Sequence, residues 1–339
     1  LLVKGAALCT MLIALSGCAS YVAKEITKAH ASSITGNLSD IGAETITICD
    51  DNNYCIDVVG LKNVDVTETA LKFDIKINDN HKIWRYSASL NSENQEKPLE
   101  DHLILLFAGY SQPTQILLIH QLWLHQMTGA NVIVIPSAEK SGRFQFGLDY
   151  ISPIVEKIKQ TRPEKVHAIG FSMGALAAHA LEREIDNIRL YLFAPMTDFE
   201  YSTKAIYEMH YNNAFYRALV SEETLKEAIE LIYKRSGTTS VDTALPIKLQ
   251  TVNSPTFIYA SRADKVVDFT TLNEVKNEHL ALNIYENLNH IEMMALMSRT
   301  ILADFVSDLL EYSVAIDDVG TIGLLCDFED KDCLEQTKD

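Results

Sequence analysis

The pentapeptide Gly170-Phe171-Ser172-Met173-Gly174 restricts what this chain can fold into more than any other stretch. Before it runs Lys165-Val166-His167-Ala168-Ile169, with the alternation of a strand. After it runs Ala175-Leu176-Ala177-Ala178-His179-Ala180-Leu181, rich in helix formers. Gly-x-Ser-x-Gly held between a strand and a helix demands a turn so tight that the serine backbone is strained and its hydroxyl stands at the C-terminal edge of the strand. Gly170 and Gly174 leave room for that turn. In a loop the same five residues are a common chance match; in this setting they make Ser172 a candidate nucleophile.

Strand and helix alternate around the elbow. Leu103–Phe107 is a continuous apolar run ending at Ala108-Gly109, suited to a strand buried on both faces. A helix is predicted over Ile116–Met127 with Thr128-Gly129 as its stop, then a strand over Val132–Ile135 ended by Pro136, and a helix over Tyr150–Gln160. Val166–Ile169, the elbow, a helix to about Glu184 and a strand over Arg189–Phe193 follow. This order predicts an α/β protein with a mostly parallel sheet and right-handed crossovers, which binds ligands at the C-terminal strand ends, where Ser172 sits.

The flanking regions differ. Thr45–Ile48, Ile56–Val59, Leu71–Ile77 and Ile83–Ala88 read as antiparallel hairpins, and Asn91–Asp101 as a loop. Phe199–Leu249 is helical in pattern and contains Tyr and Met, so a cap over the strand ends is predicted at about 199–250; Ser221-Glu222-Glu223-Thr224 starts one of its helices. Beyond it come a strand at Thr256–Ala260, the turn Ser261–Asp268, a helix near Thr270–Glu278, a strand at Leu282–Tyr285, the turn Asn287–His290 and a helix from about Glu292 to Tyr312.

The N-terminus points out of the cytoplasm. Lys4 precedes an apolar run from Gly5 to Leu15 that is too short for a permanent membrane span, so residues 1–17 read as an export signal. Leu15-Ser16-Gly17-Cys18 resembles the lipobox of bacterial lipoproteins, which implies a fatty-acylated Cys18, palmitate or similar, as the first mature residue. With Ala19-Ser20 after the cysteine, the resemblance favours the outer membrane over retention at the inner one. The Ala, Ser, Thr and Lys of the next residues read as a tether over 18–41, ahead of a domain at 42–315 and an acidic tail at 316–339.

The net charge of -17, with Lys+Arg 29 against Asp+Glu 46 and no basic block, speaks against nucleic acid as a partner. Anionic headgroups would be mildly repelled too, so a lipid anchor rather than charge would hold the chain at a membrane. Of six cysteines, Cys9 lies in the signal and Cys18 is the lipid candidate. In an oxidising compartment the remaining four suggest Cys49–Cys55 across Asp50-Asp51-Asn52-Asn53 and Cys326–Cys333 in the tail; a bridge joining the two chain ends stays open. No zinc pattern occurs, and Asp327, Glu329, Asp330 and Asp332 lack the spacing of a calcium loop, so no metal or cofactor is expected.

From about Asp101 to Tyr312 the chain resembles the α/β-hydrolase superfamily of serine esterases and lipases. The resemblance rests on the strand ending at Ala108-Gly109-Tyr110, on the Ser172 elbow, on Asp264 in an Ala-Asp-Lys-Val-Val turn and on His290 after the final strand, in the order Ser, Asp, His. It implies Ser172 as nucleophile, His290 as base and Asp264 as the acid that orients it, with backbone N–H groups of Met173 and Tyr110 as oxyanion donors. Ala108-Gly109 departs from the common His-Gly and leaves the support of that loop open. Asp198 competes with Asp264, and His279 with His290; His167 and His179 read as packing or surface residues. The expected activity is hydrolysis of a small-molecule or lipid carboxylic ester through an acyl-enzyme. A non-catalytic binding lipoprotein on the same scaffold, and a peptidase or acyltransferase on the same residues, are the alternatives.

Overall fold

A computed structural model describes residues 18–28, 42–61, 68–76, 83–91, 97–210, 220–296 and 298–316, with the backbone alone for 68–76 and 83–91. The export signal, residues 29–41, and the tail from 317 with Cys326, Cys333 and its acidic residues lie outside the described residues.

Residues 18–26 form helix α1, inside the stretch whose composition suggested a tether. Ala19 and Ala23, one turn apart, are buried, so the helix lies close against the body of the protein. Strands β1 (Ala43–Cys49) and β2 (Cys55–Leu61) make a hairpin closed by the Cys49–Cys55 disulfide, its two cysteines being cross-strand partners. The turn docks through Asp50 on Ser152 at 2.8 Å and Tyr54 on Asp149 at 2.7 Å. The second hairpin, β3 (Glu68–Lys76) and β4 (Ile83–Asn91), forms a separate two-stranded sheet.

The core alternates as expected: β5 (Leu103–Phe107), α2 (Thr114–Thr128), β6 (Asn131–Ile135), α3 (Ile151–Thr161), β7 (Val166–Phe171), α4 (Gly174–Glu182) and β8 (Ile188–Phe193). Gly129, left-handed at φ 75°, ends α2 by donating to the His125 carbonyl. Among the described residues four helices follow: α5 (Phe199–His210), α6 (Glu222–Ser236), α7 (Ser240–Thr243) and α8 (Leu245–Leu249). Ser221 caps α6 by accepting from the Thr224 amide. Then come β9 (Thr256–Ser261), α9 (Phe269–Asn273), β10 (Leu280–Tyr285), α10 (His290–Met294) and α11 (Arg299–Leu310).

Eight strands form one sheet in the order β1-β2-β6-β5-β7-β8-β9-β10, antiparallel up to β6 and parallel beyond it. The chain winds outward from β5 to β6 and then returns past β5 to β7, so the β5/β7 boundary is the switch point of the sheet. All residues of β5 and β7 are buried, which explains their unbroken apolar runs. On one face Phe305 of α11 meets Tyr191, Phe193 and Trp123 edge to face, with ring centroids 5.2 to 6.2 Å apart. The single C-terminal helix expected from Glu292 to Tyr312 is two helices, because Leu296 takes a left-handed φ of 53°. The helix expected over Thr270–Glu278 is only the five residues of α9.

Two buried histidines tie the fold to pH. His120 on α2 stacks on Phe171 and accepts from the Trp123 indole at 3.1 Å; His167 on β7 pairs with His102 at 2.9 Å and with the Tyr191 hydroxyl at 3.2 Å. Burial pulls each from the ordinary 6.5 down to about 3, and His102, Lys165 and Arg189 add to the effect at His167. The folded chain therefore keeps both neutral where the unfolded chain would protonate them. Their contribution is complete above pH 6.5 and is lost as pH falls from there toward 3, at about 1.4 kcal/mol per pH unit for each histidine. Urea unfolding is expected to show lower stability at pH 5 than at pH 7.5, with about 4 kcal/mol of loss from these two histidines, offset in part by the buried carboxylates Asp149 and Asp308, whose pKa values burial raises. A flat profile across that range would mean that these histidines are not buried and neutral.

Candidate active site

The elbow follows from its glycines. A Cβ on Gly170 would lie 2.5 Å from the Ala175 Cα, and one on Gly174 would collide with the Phe107 carbonyl. Helix α4 can therefore leave β7 only if both positions lack a side chain. The turn puts Ser172 at φ 49°, a strained conformation for a residue with a Cβ. Its amide donates to the Phe193 carbonyl at 2.9 Å and its carbonyl accepts from Met196 at 3.1 Å, so the end of β8 holds the strain in place.

Ser172 Oγ is 2.9 Å from Nε2 of His290, and His290 Nδ1 is 2.7 Å from Oδ2 of Asp264. Each partner is positioned by its own turn. After β9, the other Asp264 oxygen accepts from the Val266 amide at 2.8 Å, and the side chain is fully buried. Ser261 Oγ accepts from the amides of Ala263 and Leu288, both at 3.2 Å, joining the Asp264 turn to the loop that carries His290. Asn289 accepts from Ile291 and Glu292, and Glu292 returns a bond to the Asn289 amide, a capping box that places His290 at the first position of α10. With Nδ1–H donated to the carboxylate, Nε2 presents a lone pair to the serine hydroxyl.

The competing residues are occupied elsewhere. Asp198 accepts from the Tyr201 amide at 2.8 Å at the start of α5, as a helix cap. His279 is half-exposed beside Glu278, His179 is buried on α4, and His167 on β7 is paired with His102.

Because β5 pairs with β7, Phe107 opposite Gly170, the loop Ala108-Gly109-Tyr110 lies beside the elbow. A Cβ on Gly109 would come 3.2 Å from the Ser172 Cβ. Two residues that sequence reasoning missed support this loop. Gln112 Oε1 accepts from the Gly109 amide at 2.8 Å, and buried Glu139 accepts from the Ser111 amide and the Ser137 hydroxyl, each at 2.8 Å. They brace the loop where the common histidine is missing. No local pattern marks either residue, because both act on backbone groups that only the fold brings near.

Tyr110 and Met173 line the same cavity as Ser172, a space of about 570 Å³, within the range that takes a drug-sized ligand. Met173 stands at the N-terminus of α4, where backbone N–H groups have no partner within the helix. Helices α1, α5 and α6 supply much of the rest of the wall, with Ser111, Met196, Val220 and Val266 from connecting segments. This arrangement can deprotonate a serine hydroxyl against a carbonyl carbon and meet the resulting negative charge with backbone donors.

No family model matches the sequence, and no curated protein matches it. Solved structures do. An esterase from Pyrococcus furiosus, seen in three crystal forms, superposes with a TM-score of 0.52 at 14% identity over 84% of this chain and 95% of that chain. The second form gives 0.52 at 13% over 84% and 97%, and the third 0.50 at 14% over 87% and 95%. With the sheet order and the crossing at the elbow, this likeness defines the architecture. The chain has the α/β-hydrolase fold, with antiparallel N-terminal strands.

Proposed function

We propose that this chain is an exported, lipid-anchored serine hydrolase that cleaves carboxylic esters. The observation that carries the reading is the continuous relay from Ser172 Oγ to His290 at 2.9 Å and from His290 to Asp264 at 2.7 Å, opening on a cavity. Ser172 Oγ attacks the ester carbonyl carbon while its proton passes to His290 Nε2. The tetrahedral oxyanion is met by the N–H groups of Met173 and Tyr110, each such donor contributing about 3 to 4 kcal/mol in the transition state. The intermediate collapses to an acyl-serine; the alcohol leaves with the proton held by His290. Water, deprotonated by His290, then releases the carboxylic acid. Asp264 keeps the imidazole in the required tautomer and stabilises its protonated form. A fluorophosphonate probe is expected to label the chain at Ser172, and p-nitrophenyl esters to be hydrolysed. Failure of both with folded protein would reject the reading.

Export is supported by the signal pattern at 1–17 and by the Cys49–Cys55 disulfide, which persists in oxidising compartments. The anchor rests on Leu15-Ser16-Gly17-Cys18. Cys18 is exposed, unpaired with another cysteine and at the outer end of α1, where acyl chains could leave the protein for a membrane of the cell envelope. No described helix is long and apolar enough to cross a membrane. In cells fed an alkyne fatty acid, the wild type is expected to incorporate label and Cys18→Ser to lose all of it and accumulate as precursor. Equal labelling of the two, or an unlabelled wild type, would remove the anchor from the reading.

A further inference from the structure

Helix α1 is built into the candidate active site. Its C-terminal end is held by the Tyr110 hydroxyl, which donates to the Ile26 carbonyl at 2.6 Å, one of the carbonyls that a helix end leaves without an intrahelical partner. Its N-terminal end is held by Arg235 of α6, which donates to Ser20 Oγ at 2.6 Å. Along the helix Ala19 and Ala23 pack into the body, and Val22 and Ile26 turn to the cavity that contains Ser172. The helix thus spans from the oxyanion loop to the cap, and Tyr110 is bonded to it.

Phe199 and Ile206 of α5 line the same cavity as Val22 and Ile26. Glu25 is the one charged side chain among the described residues that line the space, and Lys28 lies 3.6 Å from it. The hydroxyl of Ser202, another lining residue, is already donated to the Val266 carbonyl at 2.8 Å. Apart from hydroxyls such as the buried Ser111 Oγ, which has no hydrogen-bond partner among the described residues, the lining of this cavity of about 570 Å³ is mostly apolar and favours a hydrocarbon chain over an anionic group.

We infer that the substrate is an ester of a long, unsubstituted acyl chain, and that α1 and α5 are the two walls between which the chain lies, with Val22 and Ile26 setting its length and fit. This inference rests on the proposed serine-hydrolase chemistry and names the substrate class of the same site. Each methylene that finds a fitted apolar wall adds to the discrimination between long and short chains, so a substitution in α1 changes selectivity among esters.

The test uses the full chain with Val22→Trp, which fills the space from the α1 side, and Val22→Ala, which widens it. Wild type is expected to prefer p-nitrophenyl dodecanoate to p-nitrophenyl acetate in kcat/KM. Val22→Trp should lower the dodecanoate-to-acetate ratio about tenfold or more. Val22→Ala should move the optimum toward longer chains and serves as the decisive variant where the tryptophan disturbs folding. A wild type that favours acetate, or a ratio unmoved in folded Val22→Trp, or a chain-length profile unmoved in Val22→Ala, each overturns the inference. All three of those results leave acetate hydrolysis and probe labelling of the wild type in place, whereas loss of these in the wild type is the separate failure of the hydrolase reading.

Discussion

Ser172→Ala is expected to abolish ester hydrolysis and fluorophosphonate labelling while leaving the folded protein almost as stable as before. The two effects separate because the hydroxyl carries the chemistry and little of the packing. Its loss costs the fold one hydrogen bond to His290, about 0.5 to 1.5 kcal/mol. The strain at φ 49° is unchanged, since alanine and serine both carry a Cβ, and the glycines that make room for the turn remain. The kinetic loss is of another order, about a millionfold in kcat where a serine nucleophile of a protease has been removed. Hydrolysis assayed alongside a thermal melt distinguishes the two. A clean, folded Ser172→Ala preparation that turns over esters at near wild-type rate would end the serine mechanism for this chain.

The elbow was legible in the sequence because its cause is local: two positions where a Cβ collides, one strand before and one helix after. The central parallel strands were legible for the same reason, β5 to β8 announcing themselves by apolar runs and the crossovers between them by helical periods. The supports of the site were not. Gln112 and Glu139 bond to amides of the loop after β5, and no spacing in the sequence ties Glu139 to Ser111, 28 residues earlier in that loop. Helix α1 left a trace that composition obscured. Ala19, Val22, Ala23 and Ile26 fall at i, i+3, i+4 and i+7, an apolar helical stripe, yet the Ser and Lys residues around them resemble a solvated tether. The break at Leu296 left no such trace, because a left-handed leucine is imposed by the packing around it rather than favoured by the residue.

Asp264→Asn is expected to lower kcat by up to about ten-thousandfold, the loss recorded for the equivalent change in a serine protease. The geometry states why an isosteric amide would be so damaging. Oδ1 of Asp264 accepts from the Val266 amide, and the asparagine oxygen is the atom that can continue to do so. The amide nitrogen must then face His290 Nδ1, which would have to accept instead of donate. The imidazole takes the other tautomer, Nε2 carries the proton, and the Ser172 hydroxyl has no base. Turning the amide over would restore the tautomer but set two N–H donors against each other at Val266. Asp198→Asn faces no such conflict. Asp198 accepts from the Tyr201 amide as a helix cap, and asparagine caps a helix about as well as aspartate, so kcat should stay within severalfold of wild type. Both variants are to be compared with wild type on one soluble ester, reading kcat and KM separately beside circular dichroism. A collapse of kcat in folded Asp198→Asn with Asp264→Asn spared would transfer the orienting role to Asp198.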